Sequence, residues 1–322
     1  MQAPFCRDCI SGDLRISEVT LRGTEKVIHG LPTYVVQPPP GIAPTGIVVI
    51  VSDAFGWKLP NTRALADAYA SRVPCTVYLP DFMDGHALPI YLMHLLDSEA
   101  PNHTAQVPLP FRLLKQAWAL VCGAAHLLRF AYFNRQSVTG PRSHAFMRAV
   151  RTTPGPSGQK NSSLPPKVGV AGFCWGGLYT VLWTHDTPPK KVVIPSKTAA
   201  RRRGRRGDRS GAGTEYPLVD CAFTAHPSML KIPEQIEMVV QPLGVANGDN
   251  DQWMGEAKMK QLVAILQSKN EAAGREVYDA VVYEGAKHGF ATRADRDDPK
   301  QLEIGDKCED QAVRWFKRHF ES

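Results

Sequence analysis

The stretch from Lys167 to Gly177, Lys-Val-Gly-Val-Ala-Gly-Phe-Cys-Trp-Gly-Gly, constrains this chain more than any other. Val168 to Ala171 has the apolar character of a short strand, and a helical pattern begins at Leu178. Between them, Gly172 and Gly176 bracket Cys174 as G-x-C-x-G. This is the thiol form of G-x-S-x-G, in which a strand turns sharply into a helix and exposes a nucleophile above the sheet. Such a turn strains the nucleophile's backbone, and side chains two residues to either side would strike the crossing chain. The helix then directs its first N–H groups at the sulfur, which favours a thiolate and a developing oxyanion. A buried structural cysteine with packing glycines would show the same five residues. The rest of the chain has to separate the two readings.

A length of 322 residues admits one large α/β domain or two small ones. With 43% hydrophobic and 21% charged residues, the chain can build a sizeable core. No apolar run approaches the roughly 20 residues of a membrane span, so no membrane partner is expected. The N-terminus MQAPFCRDCISGDLR lacks a basic region followed by an apolar one, which predicts no secretory signal and a cytoplasmic location. Seven scattered cysteines do not form a disulfide framework at this length. Cys6 and Cys9 have the C-x-x-C spacing, but no second Cys or His pair follows at zinc-finger spacing and no strand precedes them. They read as incidental or structural, and no metal site is expected.

The net charge of +7 points toward an anionic partner until it is located. Residues 190–209 hold nine basic residues against Asp208 alone, so this segment accounts for the whole excess. Its arginine run, 201–209, lacks the interleaved aromatics or rigid basic face of a nucleic-acid grip. It reads as a solvated loop, and no nucleic-acid partner is expected.

Gly46 to Val51 is a continuous apolar run, as in a strand buried on both faces. A helix is expected from near Asn61, then a strand from Cys75 to Leu79, making a βαβ unit and hence a parallel sheet. Glu25 to Val36 has hairpin character about Gly30-Leu31-Pro32. Helices are expected around Ile90 to Leu96 and from Phe111 to Phe130. Further strands are expected at Asp220 to Ala225, Val239 to Ala246 and Val277 to Tyr283, with helices at Gly255 to Ser268 and Cys308 to Phe320. The polar, Pro- and Gly-rich segments 137–166 and 187–216 read as flexible insertions. Residues 1–24 read as an N-terminal extension, and 25–320 as a single domain.

In an open parallel sheet, chemistry collects at the carboxyl ends of the strands. That rule selects Asp53, Cys174, His226, Asp249 or Asp251, and His288. A thiol needs a base to become a thiolate, and an imidazole needs a carboxylate to hold its tautomer. The chain order cysteine, acid, histidine is the triad order of α/β-hydrolases.

Three blocks carry a family resemblance: Gly172-Phe173-Cys174-Trp175-Gly176-Gly177, Asp53 to Trp57 with Pro60-Asn61-Thr62-Arg63, and Gly285 to Phe290 with its His-Gly-Phe. Together they resemble the dienelactone hydrolase (carboxymethylenebutenolidase) family, from about residue 25 to 320 outside the two insertions. The resemblance implies an α/β-hydrolase fold and a Cys–Asp–His triad acting on lactones or esters, with no cofactor. Cys174 is similar to the family nucleophile and His288 to its base. Asp251 is similar to its acid, because Gly248-Asp249-Asn250-Asp251 resembles the family's Gly-Glu-x-Asp turn. The backbone N–H groups of Ala54 and Trp175 would form the oxyanion hole. The prototype's glutamate that accepts the thiol proton is replaced by the shorter Asp53. An arginine after the catalytic histidine, which binds the substrate carboxylate in the prototype, is replaced by Thr292, with Arg293 one residue on. Phe55, Trp57, His226, Phe290 and Arg293 are expected to line the pocket. The reaction implied is acyl transfer from a small lactone or ester through a cysteinyl acyl-enzyme. A lactone- or anhydride-opening step in specialised metabolism and a non-catalytic binding protein are the alternatives.

Overall fold

The computed structural model describes residues 20–92, 123–153, 165–185, 191–194, 214–294 and 298–321. Its eight-stranded sheet explains the apolar runs directly. The strands lie in the order β1 (Thr24–Ile28), β2 (Leu31–Val36), β4 (Thr76–Pro80), β3 (Ile47–Val51), β5 (Val168–Phe173), β8 (Cys221–Ala225), β9 (Leu243–Asn250), β10 (Tyr278–Lys287). From β4 to β10 every pairing is parallel, whereas β2 pairs antiparallel with β1 and β4. This is the α/β-hydrolase fold.

Central β3 shows why its sequence does not alternate. Ile47, Val49 and Val51 pack into the core on one face of the sheet, with Phe146 and Val181. Val48 and Ile50 pack into the other, with Tyr69 and Phe316. Each fully buried Val or Ile contributes about 1.5–3 kcal/mol by leaving water, so a polar residue anywhere in this run would be costly. The first face is covered by α3 (Gln136–Thr152) and α4 (Trp175–Trp183), the second by α1 (Pro60–Arg72) and α7 (Pro299–Glu321). A helix over residues 123–133, α2, precedes α3. The short α5 (Glu234–Glu237) and long α6 (Glu256–Ala273) flank β9 in sequence.

Several expectations are corrected. The hairpin turn is His29-Gly30, both at positive φ, and Leu31-Pro32 already belongs to β2. The segment 137–166 is not an insertion without structure in its first half, because α3 occupies it. Ser143, Phe146, Met147, Val150 and Arg151 recur at helical spacing and are buried. Packing of that stripe outweighs the one backbone bond lost at Pro141 inside the helix. The ends of the segment 187–216 likewise form a strand pair, β6 (Lys191–Ile194) with β7 (Thr214–Pro217), in which Val192 is buried. There the high charge between the two strands masked a β-branched run. The strand expected from Val239 begins at Leu243 and continues to Asn250, and β10 continues past Tyr283 to Lys287. The last helix starts at Pro299, well before Cys308. Cys6, Cys9, the arginine run, most of the helix expected at 90–96 and residues 111–122 of the next lie outside the described residues. Among those described, no helix is long and apolar enough to cross a membrane.

Candidate active site

Cys174 sits between the end of β5 and the first residue of α4, at φ 50° and ψ −114°. A non-glycine residue there carries about 1–3 kcal/mol of strain, which the surrounding contacts must hold. The two glycines of the motif show how tightly they do so. A Cβ on Gly176 would lie 2.2 Å from the Val51 carbonyl oxygen, and one on Gly172 would lie 2.6 Å from the Gly176 oxygen. The helix therefore starts directly against the ends of β3 and β5. Cys174 is only 3% exposed.

His288 follows β10, and Asp251 follows β9. The pairing of these strands shifts register between Tyr283 and Lys287, the kind of bulge that re-aims a side chain beside a site. Asp249 holds this irregularity from outside, its Oδ1 accepting the Gly285 N–H at 2.7 Å. Asp251 is buried and faces inward, with Oδ2 2.8 Å from His288 Nδ1. Its Oδ1 accepts the N–H groups of Trp253 and Met254 at 2.8 and 3.2 Å. A carboxylate so anchored accepts from Nδ1–H and leaves Nε2 as the base.

His288 Nε2 is buried and makes no hydrogen bond of ordinary geometry. Burial pulls the His288 pKa down, but the Cys174 sulfur and the Asp251 carboxylate beside it push it up to about 10. The ring and the sulfur therefore lie close enough to influence one another's charge.

Asp53, at the end of β3, is fully buried and paired with the equally buried Arg293 through Oδ2 and Nη1. Its Oδ1 accepts the Phe55 N–H at 3.0 Å, and Thr292 Oγ1 donates to Oδ2 at 3.3 Å. Burial raises the Asp53 pKa; Arg293 opposes this, and the Cys174 charge adds to it.

Cys174, Ala54 and Trp175 open on one cavity of about 290 Å³. Its walls are mainly Phe130, Leu178, Tyr179, Met229 and Trp253, with Asn134, Arg135, Gln136 and Ser228 supplying polar groups. Trp175 lies 4.7 Å from Tyr179 and 6.2 Å from Phe130, between ring centroids.

A hydrolase named pyvD from Aspergillus violaceofuscus is 22% identical over 316 residues, covering 98% of this chain and 97% of that protein. Dienlactone hydrolase 1 of Gibberella moniliformis is 23% identical over 294 residues, covering 91% and 86%. A solved structure of a dienelactone hydrolase from Klebsiella pneumoniae subsp. pneumoniae has the same fold, with a TM-score of 0.54 and 14% identity over 92% of this chain and 98% of that one. No family model matches the chain. The chain is similar to these hydrolases over nearly its whole length and shares the dienelactone hydrolase fold.

In this chain, the structure brings Cys174, Asp251 and His288 together and sets Ala54 and Trp175 at the cavity with the sulfur. It does not place the expected lining residues there. Arg293 is turned inward to Asp53, with its guanidinium 5.2 Å from the Phe55 ring centre. Burying two opposite charges side by side satisfies both and leaves Arg293 no reach to the cavity. Trp57 packs beneath the Arg63 guanidinium, 4.9 Å away. Phe290 and His226 form an aromatic group beside His288, with their rings 5.6 Å apart and His226 5.0 Å from the His288 ring. Burial and the neighbouring His288 and Arg293 charges hold the His226 pKa well down, so it is neutral.

The true lining was missed for two reasons. Trp175, Leu178 and Tyr179 form one stripe along α4, legible from the helix phase after Cys174, but only Trp175 was chosen. Phe130, Asn134 and Arg135 come from α2 and the start of α3, whose approach to the elbow has no local sequence signal.

Proposed function

We propose that this chain hydrolyses a lactone or carboxylic ester through a covalent Cys174 intermediate. The observation that carries the proposal is the coupling of Cys174 to a buried His288 held by Asp251 at 2.8 Å. The hydrolase names of its relatives support the reaction class.

His288 takes the thiol proton, and the thiolate attacks the substrate carbonyl carbon. The carbonyl electrons move to oxygen, and the N–H groups of Ala54 and Trp175 stabilise that oxyanion. Collapse expels the alkoxide, which receives the proton from His288. In a lactone the new hydroxyl stays tethered to the acyl group. His288 then deprotonates a water that attacks the thioester, and the thiolate leaves with restoration of the resting enzyme. The chemistry balances without a redox partner. Asp53 already holds Arg293, so proton removal by His288 is favoured over proton removal by Asp53.

The cavity volume of about 290 Å³ lies at the small end for ligand sites. Flanking aromatic rings suit a small, flat, largely apolar acyl group. The test is hydrolysis of p-nitrophenyl acetate and a panel of small lactones by the wild type, Cys174→Ala and Cys174→Ser, with mass spectra of the quenched protein. Turnover with an acyl adduct, both lost in Cys174→Ala, is the expected result. Undiminished turnover by Cys174→Ala would overturn the assignment.

A further inference from the structure

The loop after β8 touches the nucleophile at more points than any role named so far requires. Cys174 N–H donates to the Ala225 oxygen at 3.3 Å, and Ser228 N–H donates to the Cys174 oxygen at 3.0 Å. The loop is held in an unfavourable conformation to do this, with His226 at φ 40° and Met229 at φ 60° on either side of Pro227 and Ser228. Strain of this kind persists where the surroundings over-determine it, and it often accompanies function.

What the loop delivers is a hydroxyl. Ser228 is 3% exposed and lines the substrate cavity. Among the described residues, the hydrogen-bond partner of its Oγ is the Cys174 sulfur, 4.0 Å away. That is long for a thiol donating to oxygen. A thiolate would shorten it, because the hydroxyl then donates to a full negative charge.

We propose that Ser228 is a catalytic residue whose hydroxyl donates a hydrogen bond to the Cys174 thiolate and sets how readily that thiolate forms. This rests on the reading of Cys174 as nucleophile. The need for such a donor follows from the charges facing the sulfur. His288 approaches from the end of β10 with Asp251 behind it, and favours the thiolate. Asp53 approaches from the end of β3 with Arg293 behind it, and its carboxylate disfavours a second negative charge. His226 lies below and is neutral. The α4 N-terminus and Ser228 also face the sulfur, and Ser228 sets a side-chain hydroxyl against the Asp53 field. The serine proton never leaves oxygen. Attack on the carbonyl converts the sulfur to an uncharged thioester, and the hydrogen bond relaxes until deacylation restores the thiolate.

The test is the pH dependence of iodoacetamide alkylation at Cys174, followed by peptide mass spectrometry, with ester hydrolysis assayed on the same samples. In Ser228→Ala the alkylation midpoint should rise by about one pH unit, so that below both midpoints the rate falls about tenfold. The high-pH plateau should stay in place, which a merely loosened loop would not predict. Ser228→Thr retains the hydroxyl and should return the midpoint toward the wild-type value. An unchanged midpoint in Ser228→Ala, or no recovery in Ser228→Thr, overturns the proposal. The nucleophile reading fails separately, if complete alkylation of wild-type Cys174 leaves ester hydrolysis intact.

Discussion

His288 Nδ1 lies 2.8 Å from Asp251 Oδ2, and neither side chain has any exposed surface. In the proposed reaction, a buried carboxylate here fixes the ring's tautomer and steadies the imidazolium that forms as the thiol loses its proton. Asp251→Asn keeps the size but presents an amide, whose NH₂ end would favour the wrong tautomer. Steady-state hydrolysis should fall by about 10⁴-fold, the scale of such a replacement in a serine triad. A fall of less than about tenfold would remove Asp251 from the triad.

The same variant changes how stability depends on pH. His288 has a folded-state pKa raised to about 10 against an ordinary 6.5. The stabilisation linked to its bound proton is therefore complete below about pH 6.5 and lost as pH rises through about 10. Asp251→Asn removes one of the groups that raise this pKa. The urea midpoint of the wild type should exceed that of Asp251→Asn most at pH 6, and the gap should narrow by pH 10. An imidazole proton titration of His288 by NMR, with a lower midpoint in the variant, would tie the change to this ring.

The Asp53–Arg293 pair has both side chains at 0% exposure. Removing one partner strands the other charge in the core, at a cost of about 3–5 kcal/mol. Arg293→Met should show that loss in urea unfolding. Because burial already raises the Asp53 pKa, the stranded carboxyl should take up a proton, and the deficit should grow as pH rises above about 4. The double variant Asp53→Asn/Arg293→Met should be more stable than Arg293→Met alone. If Arg293→Met were as stable as the wild type at pH 7, the pair would not be holding the site together.

Much of this site was legible because strand ends are marked locally. Apolar runs stop at Val51, Phe173, Ala225 and near Asn250, and a chemically distinctive residue follows each. The choice between Asp249 and Asp251 was not local. It is made by the bulge in β10, where Asp249 meets the Gly285 N–H and leaves Asp251 to meet the ring. The expected pocket failed for the same reason. Phe55 and Trp57 follow Asp53 in the chain, and Phe290 and Arg293 follow His288, but all four pack away from the cavity, whose walls come from α2, α4 and the loops after β8 and β9. The larger departure in the fold is α3, because glycine, proline and charge around residues 137–151 obscure its sparse apolar stripe.

One ion pair joins α3 to the start of β5, and it can be tested. Arg151, 2% exposed at the end of α3, donates from Nη2 to Asp220 Oδ1 at 2.8 Å and from Nη1 to the Pro166 oxygen at 2.9 Å. Asp220 also accepts the Val168 N–H at 2.7 Å, at the first residue of β5. The helix whose other end lines the cavity is thereby tied to the strand that ends at Cys174. Asp220 is 28% exposed, so water will partly replace the lost partner. Arg151→Ala should destabilise the protein by about 1–3 kcal/mol, below the cost of a fully buried pair. Hydrogen exchange should then rise in α3 and at the start of β5 together. A rise confined to α3 would show that the pair orders the helix without anchoring the strand.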